Sequence, residues 1–397
     1  MELVQQIAVP RANGSAQLGE TRRFLTDYLQ GLGVHVTVQE FFLRPYLQPL
    51  VGTFLVFLGA AALWAIWRGR RWLALVLALL IPALYFTEFE LNIPVVSWIG
   101  GTSGYNVIAG FGPAPADVGR PDGHAGVAPR LFFTAHYDSK TEPFDHQRRQ
   151  AVYNGAALGM VVLVVAALGH FRRRWRGGAL ALGVPAVLLL GILAYSFAGG
   201  FFAARESPGA RDDAAAVAVL LGLSAELAAE KGGGAEGGTS RVNSAIVPAG
   251  VVLFDGEEVN MQGSAAFARA NPLGLGKEAM FVNLEGIGGA GPWRYYERGG
   301  GFLRKYPSSP KAKVAVDGAL RALGLQRLVP ARFGFDDAGP LLAAGWGAAT
   351  FFQDEPGHPS SYHSGEDNVS QVVPERLEEA VRVLREVSRR SSSGPDD

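Results

Sequence analysis

The stretch that decides the fold and the chemistry of this chain is Leu253-Phe-Asp-Gly-Glu-Glu-Val259. It completes an apolar, β-branched-rich run over residues 246–254, which predicts a buried strand. Gly256 ends this strand, so Glu257 and Glu258 lie at its carboxyl end, where open α/β sheets bind their ligands. One of two adjacent carboxylates can bind a metal while the other serves as a base. Taken alone, the pair is more often the solvated start of a helix, so its interpretation depends on the residues that accompany it.

Composition limits the kind of site that the chain can build. At 397 residues it is long enough for one large domain or two ordinary ones. A net charge of zero with 18% charged residues argues against a nucleic-acid partner. The absence of cysteine excludes disulfides, thiolate metal sites and a cysteine nucleophile. Any metal must therefore be held by His, Asp and Glu, and the chain has seven His.

Four long apolar segments form two pairs and account for the 48% hydrophobic content. They cover residues 49–67 with 72–86 and residues 152–170 with 179–202. A short Arg-rich turn joins each pair and Trp flanks the runs, as is typical of helices that cross a bilayer. A buried core hairpin is the alternative, but a soluble core seldom contains two such pairs. We therefore predict two transmembrane hairpins, with four helices that make the lipid bilayer a partner.

The orientation of these hairpins follows from their charges. The two turns hold seven Arg in very short loops, so the positive-inside rule predicts that both turns are cytoplasmic. The remainder of the chain is then extracytoplasmic, in a multi-pass protein of the cell membrane. Lys140, Arg148 and Arg149, just before the third apolar segment, oppose this orientation. Residues 1–9 show no pattern of a cleavable signal peptide, which also opposes it.

Outside the hairpins, helical and extended patterns alternate. Helices are predicted at residues 10–33, 214–231, 262–269, 310–323 and 373–389. Strands are predicted at residues 34–42, 105–110, 130–135, 279–284 and 348–352, besides the strand before Glu257. Residues 111–129 and 232–239 have the composition of surface loops, and residues 390–397 form a polar tail that we expect to be disordered.

Five candidate metal ligands lie mostly at the end of a predicted strand or the start of a helix. They are His136, Asp212, Glu258, Glu285 and His363. Each alone has a commoner interpretation: a surface histidine, an acidic helix cap or a solvated glutamate. Together, these nitrogen and oxygen ligands suit zinc, and a bridging carboxylate would let two ions share one site. Asp138, two residues after His136, is placed to orient the imidazole.

These pieces resemble the di-zinc peptidases of metallopeptidase family 28, which include aminopeptidase Y, bacterial leucyl aminopeptidases and glutaminyl cyclases. The resemblance spans nearly the whole chain except the apolar hairpins. Its motifs are RANGS at Arg11, HYDS at His136, PGARDDAAAVAVLL at Pro208, LFDGEEV at Leu253, VNLEG at Val282 and SYHSGEDN at Ser361. The NLEG form is most similar to the vacuolar and endoplasmic-reticulum membrane peptidases of the family, since many soluble members have Asp in place of Glu285.

The resemblance implies a role for each candidate. It implies that His136 and Glu285 hold one zinc, that Glu258 and His363 hold a second, and that Asp212 bridges the two ions. Glu257 would be the general acid/base, and Asp138 would support His136. Apart from these implied roles, Asp336, Asp337 and Tyr362 are candidates for binding the substrate, and Asp336, Asp337 and Glu366 are candidates for binding its free α-amino group.

The implied fold is a three-layer α/β/α zinc-exopeptidase sandwich on a mixed sheet of roughly eight strands. Residues 1–48, 87–150 and 203–389 would form one discontinuous peptidase domain, interrupted by hairpins at residues 49–86 and 151–202 and followed by the tail at 390–397. In that fold the first and third strands run parallel. Both hairpins should therefore leave from the edge of the sheet that carries the site, and the four helices can pack together beneath it.

The function implied is that of a membrane-anchored zinc aminopeptidase, which hydrolyses amino-terminal residues from peptides with a metal-activated water. Two alternatives remain open. HYDSK and FDGEE also resemble glutaminyl cyclases, so the ligands do not separate the two chemistries. A non-catalytic receptor or scaffold descended from a peptidase is disfavoured, because all five ligand positions and the base are intact.

Overall fold

The computed structural model describes residues 1–111, 130–232, 249–301, 303–353 and 361–392. Several sequence predictions lie partly or wholly outside these ranges. They are the surface loops at 112–129 and 233–239, the strand start at 246–248, and the tail at 393–397.

The described residues form both α-helices and β-strands. The helices are α1 (Glu2–Ile7), α2 (Ala16–Gly31), α3 (Leu47–Trp67), α4 (Arg71–Tyr85), α5 (His146–Gly169), α6 (Arg176–Phe197), α7 (Ala215–Gly232), α8 (Gln262–Ala270), α9 (Pro310–Ala322), α10 (Ala338–Ala343) and α11 (Pro374–Ser392). The strands are β1 (His35–Leu43), β2 (Thr102–Gly110), β3 (Leu131–His136), β4 (Ala249–Phe254), β5 (Met280–Leu284), β6 (Trp293–Tyr296), β7 (Arg298–Gly300), β8 (Lys305–Pro307), β9 (Val329–Ala331) and β10 (Gly347–Gln353).

Eight strands form one mixed sheet in the order β1-β2-β4-β3-β5-β10-β6-β9, and β7 and β8 pair separately. Strands β3, β4, β5 and β10 run parallel. Strand β2 is antiparallel to both β1 and β4, so β1 runs in the same direction as β4. The predicted mixed sheet is therefore confirmed. Its register also brings the carboxyl ends of β1, β3, β4, β5 and β10 to one edge.

Both faces of the sheet are buried, which makes the predicted three-layer sandwich. On β3, Phe133 packs in the cluster that α1, α2, α7, α9 and α11 cover, whereas Phe132 packs on the opposite face with α8 and α10. The same alternation places Val251 and Val252 of β4 on opposite faces. Burying each such side chain stabilises the fold by about 1.5–3 kcal/mol. The apolar runs of the central strands follow from this double burial.

The four apolar helices α3 to α6 pack as a bundle whose interior is a separate cluster that includes Leu55, Leu163 and Leu190. By length and composition, all four are able to cross a membrane, α4 together with the π-helical turn that continues it to Glu90. The outer face of the bundle is also apolar, since Phe57 and Leu188 are 68% and 64% exposed. A bundle in water would carry polar residues on that face.

Both hairpins leave from the site edge, as predicted. Strand β1 leads into α3, and the segment after β3 leads into α5. Because β1 and β3 are parallel to β4, the bundle connects to the sheet at the edge where β4 ends. This bundle therefore lies on the side of the sheet where the sequence predicts the chemistry.

The structure also differs from the sequence predictions in places. Helix α2 begins at Ala16 rather than at residue 10, because Ser15 caps it by accepting the N–H of Leu18 at 3.1 Å. Helix α11 continues to Ser392, three residues into the stretch predicted as a disordered tail. The short elements α1, α10 and β6 to β9 were not predicted, since each is too brief to show a clear period.

Candidate active site

Four predicted site residues lie where parallel strands end. His136 is the last residue of β3, and Glu285 directly follows β5. Glu257 and Glu258 lie in the turn after β4. In this turn, the N–H of Met261 donates to the carbonyl of Glu257 at 2.8 Å, which closes the backbone around the two glutamates. The shared direction of the strands therefore gathers residues that are far apart in sequence.

Two further ligand candidates come from connections. Asp212 precedes α7, and its backbone N–H donates to Asp367 Oδ2 at 3.2 Å. The N–H of Arg211 donates to the other oxygen of Asp367 at 2.9 Å, so one carboxylate fixes this turn. The Asp212–Asp213 peptide bond is cis. His363 lies between β10 and α11 with a left-handed φ of +61°, a conformation that a residue with a side chain keeps only where its surroundings hold it.

Asp212 lies between the two histidines and presents one carboxylate oxygen to each. Its Oδ1 is 3.1 Å from His136 Nε2, and its Oδ2 is 3.1 Å from His363 Nε2. Glu285 Oε1 lies 3.5 Å from the same nitrogen of His136, and Glu258 Oε2 lies 3.0 Å from that of His363. Two ligand atoms on one tetrahedral zinc ion are about 3.3 Å apart. Two trios contain Asp212, one with His136 and Glu285 and one with Glu258 and His363, and the distances of 3.0–3.5 Å from each histidine nitrogen to its two carboxylates are compatible with a zinc ion in each trio.

The charges of these groups also indicate a metal site. Burial raises the pKa of Glu285 to about 7, and the Asp212 carboxylate adds to the increase. Within the described part of the chain, Glu258 Oε1 and Glu285 Oε2 are buried and accept no hydrogen bond. Several carboxylates packed together in this way are unfavourable unless cations compensate them. The donor set and its unpaired oxygens therefore fit zinc.

Asp138 contacts both a candidate ligand and the glutamate turn. Its Oδ1 lies 3.3 Å from His136 Nδ1, the ring nitrogen that faces away from Asp212. The same carboxylate accepts the backbone N–H groups of Glu257 at 3.3 Å and Glu258 at 3.1 Å. Asp138 is fully buried, so these contacts are shielded from water. It is therefore placed to fix the imidazole and the turn in one arrangement.

Glu257 lies beside the trios with a partly buried side chain. Burial raises the pKa of its carboxyl group well above the ordinary value, and the nearby carboxylates of Glu285 and Glu258 add to the increase. Bound cations would oppose this increase by favouring the carboxylate form. A carboxyl group with such competing influences is suited to take up and release a proton near neutral pH.

The four residues predicted to bind substrate lie in different environments. Asp336 is buried, and its Oδ1 accepts Thr350 Oγ1 at 2.6 Å and the N–H of Ala338 at 2.9 Å, which gives it a role in holding the fold. Asp337 is also buried, and burial raises the pKa of its carboxyl group well above the ordinary value. Glu366 is exposed.

Tyr362 lies directly against the backbone next to Glu285. A Cβ atom on Gly286 would be 1.9 Å from the Tyr362 hydroxyl oxygen, so only glycine leaves room for this ring. Gly286 also has a φ of +55°, which glycine adopts without strain. Tyr362 is therefore packed beside one metal trio, and its predicted contact with substrate stays a prediction.

Arg11, from the opening RANGS motif, ties two of the site's connections together. Its guanidinium is fully buried and donates to the carbonyl of Tyr137 at 2.7 Å and to that of Gly209 at 2.9 Å. Tyr137 adjoins His136, and Gly209 begins the turn that carries Asp212. One arginine thus fixes the spacing between these two segments.

Sequence reasoning missed two contacts to the site from the first turns of α3 and α5, just before their apolar segments. Gln48, at the start of α3, donates from Nε2 to the carbonyl of Glu258 at 3.4 Å. Near the start of α5, Arg149 donates from Nη1 to Glu142 Oε2 at 2.5 Å, and Glu142 in turn lies beside His363. The only available signal for Glu142 was its position shortly after His136 at the same edge.

Comparisons with known proteins show which family and which fold this chain resembles. The family model described as "Peptidase family M28" matches residues 196–388, just under half of the chain. This range contains Asp212, both glutamates of the turn, Glu285 and His363, whereas His136 and Asp138 precede it. No curated protein matches the chain.

Solved structures with the same fold include aminopeptidases and glutaminyl cyclases. An aminopeptidase from Aneurinibacillus sp. strain AM-1 is 13% identical with a TM-score of 0.52, and the match covers 100% of this chain and 93% of that one. A zinc aminopeptidase from Bacillus subtilis gives 13% and 0.52 over 98% and 93% of the two chains. The glutaminyl cyclase of Porphyromonas gingivalis gives 14% and 0.51 over 98% and 96%. The resemblance to peptidase family M28 is therefore confirmed, by the match over residues 196–388 and by a fold shared along the chain.

Proposed function

We propose that this protein is a membrane-anchored, zinc-dependent aminopeptidase that removes residues from the amino termini of peptides. The observation that carries the proposal is the position of Asp212, whose two oxygens each lie 3.1 Å from a different histidine. A carboxylate in this position can bridge two ions. Dinuclear sites of this kind catalyse hydrolysis in many aminopeptidases.

In this proposal the residues divide between two zinc ions. His136 and Glu285 would hold one ion, Glu258 and His363 would hold the other, and Asp212 would be common to both. When bound, the ions would supply Lewis acidity, which polarises the scissile carbonyl and lowers the pKa of a water molecule. Cysteine is absent from the chain, so His and carboxylate ligands carry the whole site.

Glu257 performs the proton transfers. It takes a proton from the attacking water and later gives it to the leaving amine, so one carboxyl group serves as base and then as acid. Its backbone N–H is held by Asp138, which also contacts Nδ1 of His136. The base and one ligand therefore share a buried support, and the distance between them is fixed before substrate binds.

The membrane anchor is supported by a rigid apolar loop next to the bundle. Residues 91–99 follow the end of the first hairpin, and buried Glu88 organises them by accepting the N–H groups of Val95, Val96 and Ser97 at 2.7, 2.6 and 3.0 Å. The loop presents exposed apolar side chains outward. They are Leu91, Ile93, Val95, Trp98 and Ile99. Side chains of this kind suit the interface of a bilayer, where Trp is enriched.

The proposal is tested with a panel of aminoacyl arylamides and a peptide with amino-terminal glutamine, assayed with and without a metal chelator. We expect release of the arylamine, loss of this activity on chelation, and its return when zinc is added. A zinc-loaded, folded protein that cleaves no arylamide would contradict an aminopeptidase. The panel also reports the side-chain preference.

Glutaminyl cyclization is the second candidate, because solved glutaminyl cyclases share this fold and the HYDSK and FDGEE motifs resemble theirs. Release of ammonia from the glutamine peptide, in place of a free amino acid, would favour it. A non-catalytic receptor is the third candidate, and it predicts that neither product is formed.

A further inference from the structure

His363 is held from two sides by a residue that the family motifs do not include. Its carbonyl accepts the backbone N–H of Glu142 at 2.7 Å, which supports the left-handed backbone at φ +61°. The Glu142 side chain also reaches the ring, with Oε2 3.3 Å from Nδ1 of His363. Glu142 therefore contacts both the backbone and the imidazole of this candidate ligand.

The position of the proton on His363 follows from these contacts. Its Nε2 faces Asp212 and Glu258, so this nitrogen must be free of a proton to bind a cation. With a cation on Nε2 the proton is on Nδ1, which lies beside two groups: the Glu142 carboxylate at 3.3 Å, which can accept this proton, and the Arg149 guanidinium, which cannot. Asp138 makes the equivalent contact with Nδ1 of His136 at 3.3 Å. Each histidine thus has its own carboxylate, on the ring nitrogen that faces away from Asp212.

Glu142 is itself held by cations, one of which lies on α5, the helix that continues into the second hairpin. Arg149 lies near the start of α5, and its Nη1 donates to Glu142 Oε2 at 2.5 Å. Lys140 pairs with the other oxygen of Glu142. The Glu142 side chain is only 1% exposed, and a buried carboxylate needs partners of this kind to remain charged.

We propose that Glu142 is the positioning residue for His363, and that Arg149 places the second hairpin in the same network by holding Glu142. The inference rests on the proposed zinc site. It gives the hairpin a part in shaping the site in addition to anchoring it. Arg149 contacts the site through Glu142 and also lies against the His363 ring.

The test compares Glu142→Ala, Glu142→Gln and Arg149→Met with Arg148→Met. Arg148 is the matched control, since it is the neighbouring arginine on the same helix but its side chain is 76% exposed. Zinc affinity is measured on the full chain in detergent by competition with a chelator. For Glu142→Ala we expect one of the two ions to bind about 10–100-fold more weakly, as is usual when the partner of a ligand histidine is removed.

The other variants show whether a loss of zinc affinity depends on the contact between Glu142 and Arg149. Glu142→Gln keeps an oxygen acceptor and should restore part of the affinity that Glu142→Ala loses. Arg149→Met should weaken the same ion, whereas Arg148→Met should bind zinc as the wild type does. In the assay, kcat should fall with little change in KM. Equal zinc affinity for all folded variants would overturn the proposal.

A measurement on metal-free protein tests the contact between Glu142 and His363 independently of the proposed zinc site. The imidazole nitrogens of ¹⁵N-histidine-labelled protein report which nitrogen carries the proton, and a His363→Ala variant identifies the signals of His363. In metal-free wild type we expect a protonated, hydrogen-bonded Nδ1, and we expect this signal to change in Glu142→Gln. Wild type that binds no zinc would refute the proposed function, while the His363 signals would still decide whether Glu142 holds the ring. Unchanged signals in Glu142→Gln would overturn the pairing.

Discussion

The Asp138 carboxylate accepts the backbone N–H of Glu258 at 3.1 Å, so one buried side chain supports the glutamate turn as well as the imidazole of His136. In Asp138→Asn, an amide NH₂ replaces one of the accepting oxygens and opposes a donor. We expect zinc affinity and kcat to fall about 10–100-fold. Chelator competition and steady-state kinetics measure the two losses. Asp317→Asn is the control, since that carboxylate pairs with Arg327 at the surface, and equal behaviour of both variants would contradict the assigned role.

The two adjacent glutamates should separate in their effects. Glu257→Gln keeps the shape of the side chain but removes the base, so turnover should fall by about 10²- to 10⁴-fold while zinc content stays intact. Glu258→Gln should instead lose metal, because Glu258 Oε2 lies 3.0 Å from His363 Nε2. Metal analysis and kinetics on both variants decide the matter. Loss of metal in Glu257→Gln but not in Glu258→Gln would show that the roles are reversed.

Metal content is a prediction of its own. The two trios share Asp212, so the purified chain should contain two zinc ions, and dialysis against a chelator should remove both zinc and activity. Elemental analysis against protein concentration gives the ratio. Protein without zinc, or activity that chelators leave unchanged, would refute the dinuclear site. One equivalent per chain would favour the cyclase alternative.

Much of the site could be predicted from the sequence because its ligands lie next to strong local patterns. Each buried strand is an apolar run, and the polar residue that ends it stands out, as His136 does after β3 and Glu285 after β5. The resemblance to a family then supplied the direction of the strands and the proposed bridging role of Asp212. Once β1, β3 and β4 are parallel, the edge from which both hairpins leave is also determined.

The remaining contacts could not be predicted because they depend on tertiary packing alone. Arg149 and His363 are 214 positions apart, and the charge of Arg149 carried information only about membrane orientation. The substrate contact of Asp336 stays a prediction, but the hydrogen bonds that its carboxylate accepts from Thr350 and Ala338 could not be predicted from the sequence. Sequence gives the identity of such residues, whereas only the packed structure gives their partners.

Packing of the bundle gives a stability prediction with an internal control. A Cβ atom on Gly159 of α5 would lie 2.9 Å from the backbone oxygen of Ala186 in α6, while one on Gly191 of α6 would meet no described atom within 4 Å. Small residues allow such close approach between membrane helices. Gly159→Leu should therefore destabilise the bundle by about 1–3 kcal/mol. Thermal unfolding in one detergent compares it with Gly191→Leu, and equal melting temperatures would contradict the close packing.

Membrane orientation is the last prediction, and the seven Arg of the two turns are the argument for it. Lys and Arg in short loops favour the cytoplasmic side, so the turns should face the cytoplasm and the peptidase domain the outside. Lys140, Arg148 and Arg149 oppose this orientation, which makes a direct measurement necessary.

The chain has no cysteine, so single cysteines can be introduced without removing any. Glu278→Cys marks the exposed surface of the peptidase domain, and Gly177→Cys marks the second turn while keeping every Arg. A maleimide that cannot cross membranes should label the first variant in intact cells and the second only after lysis. The reverse pattern would show a peptidase that faces the cytoplasm.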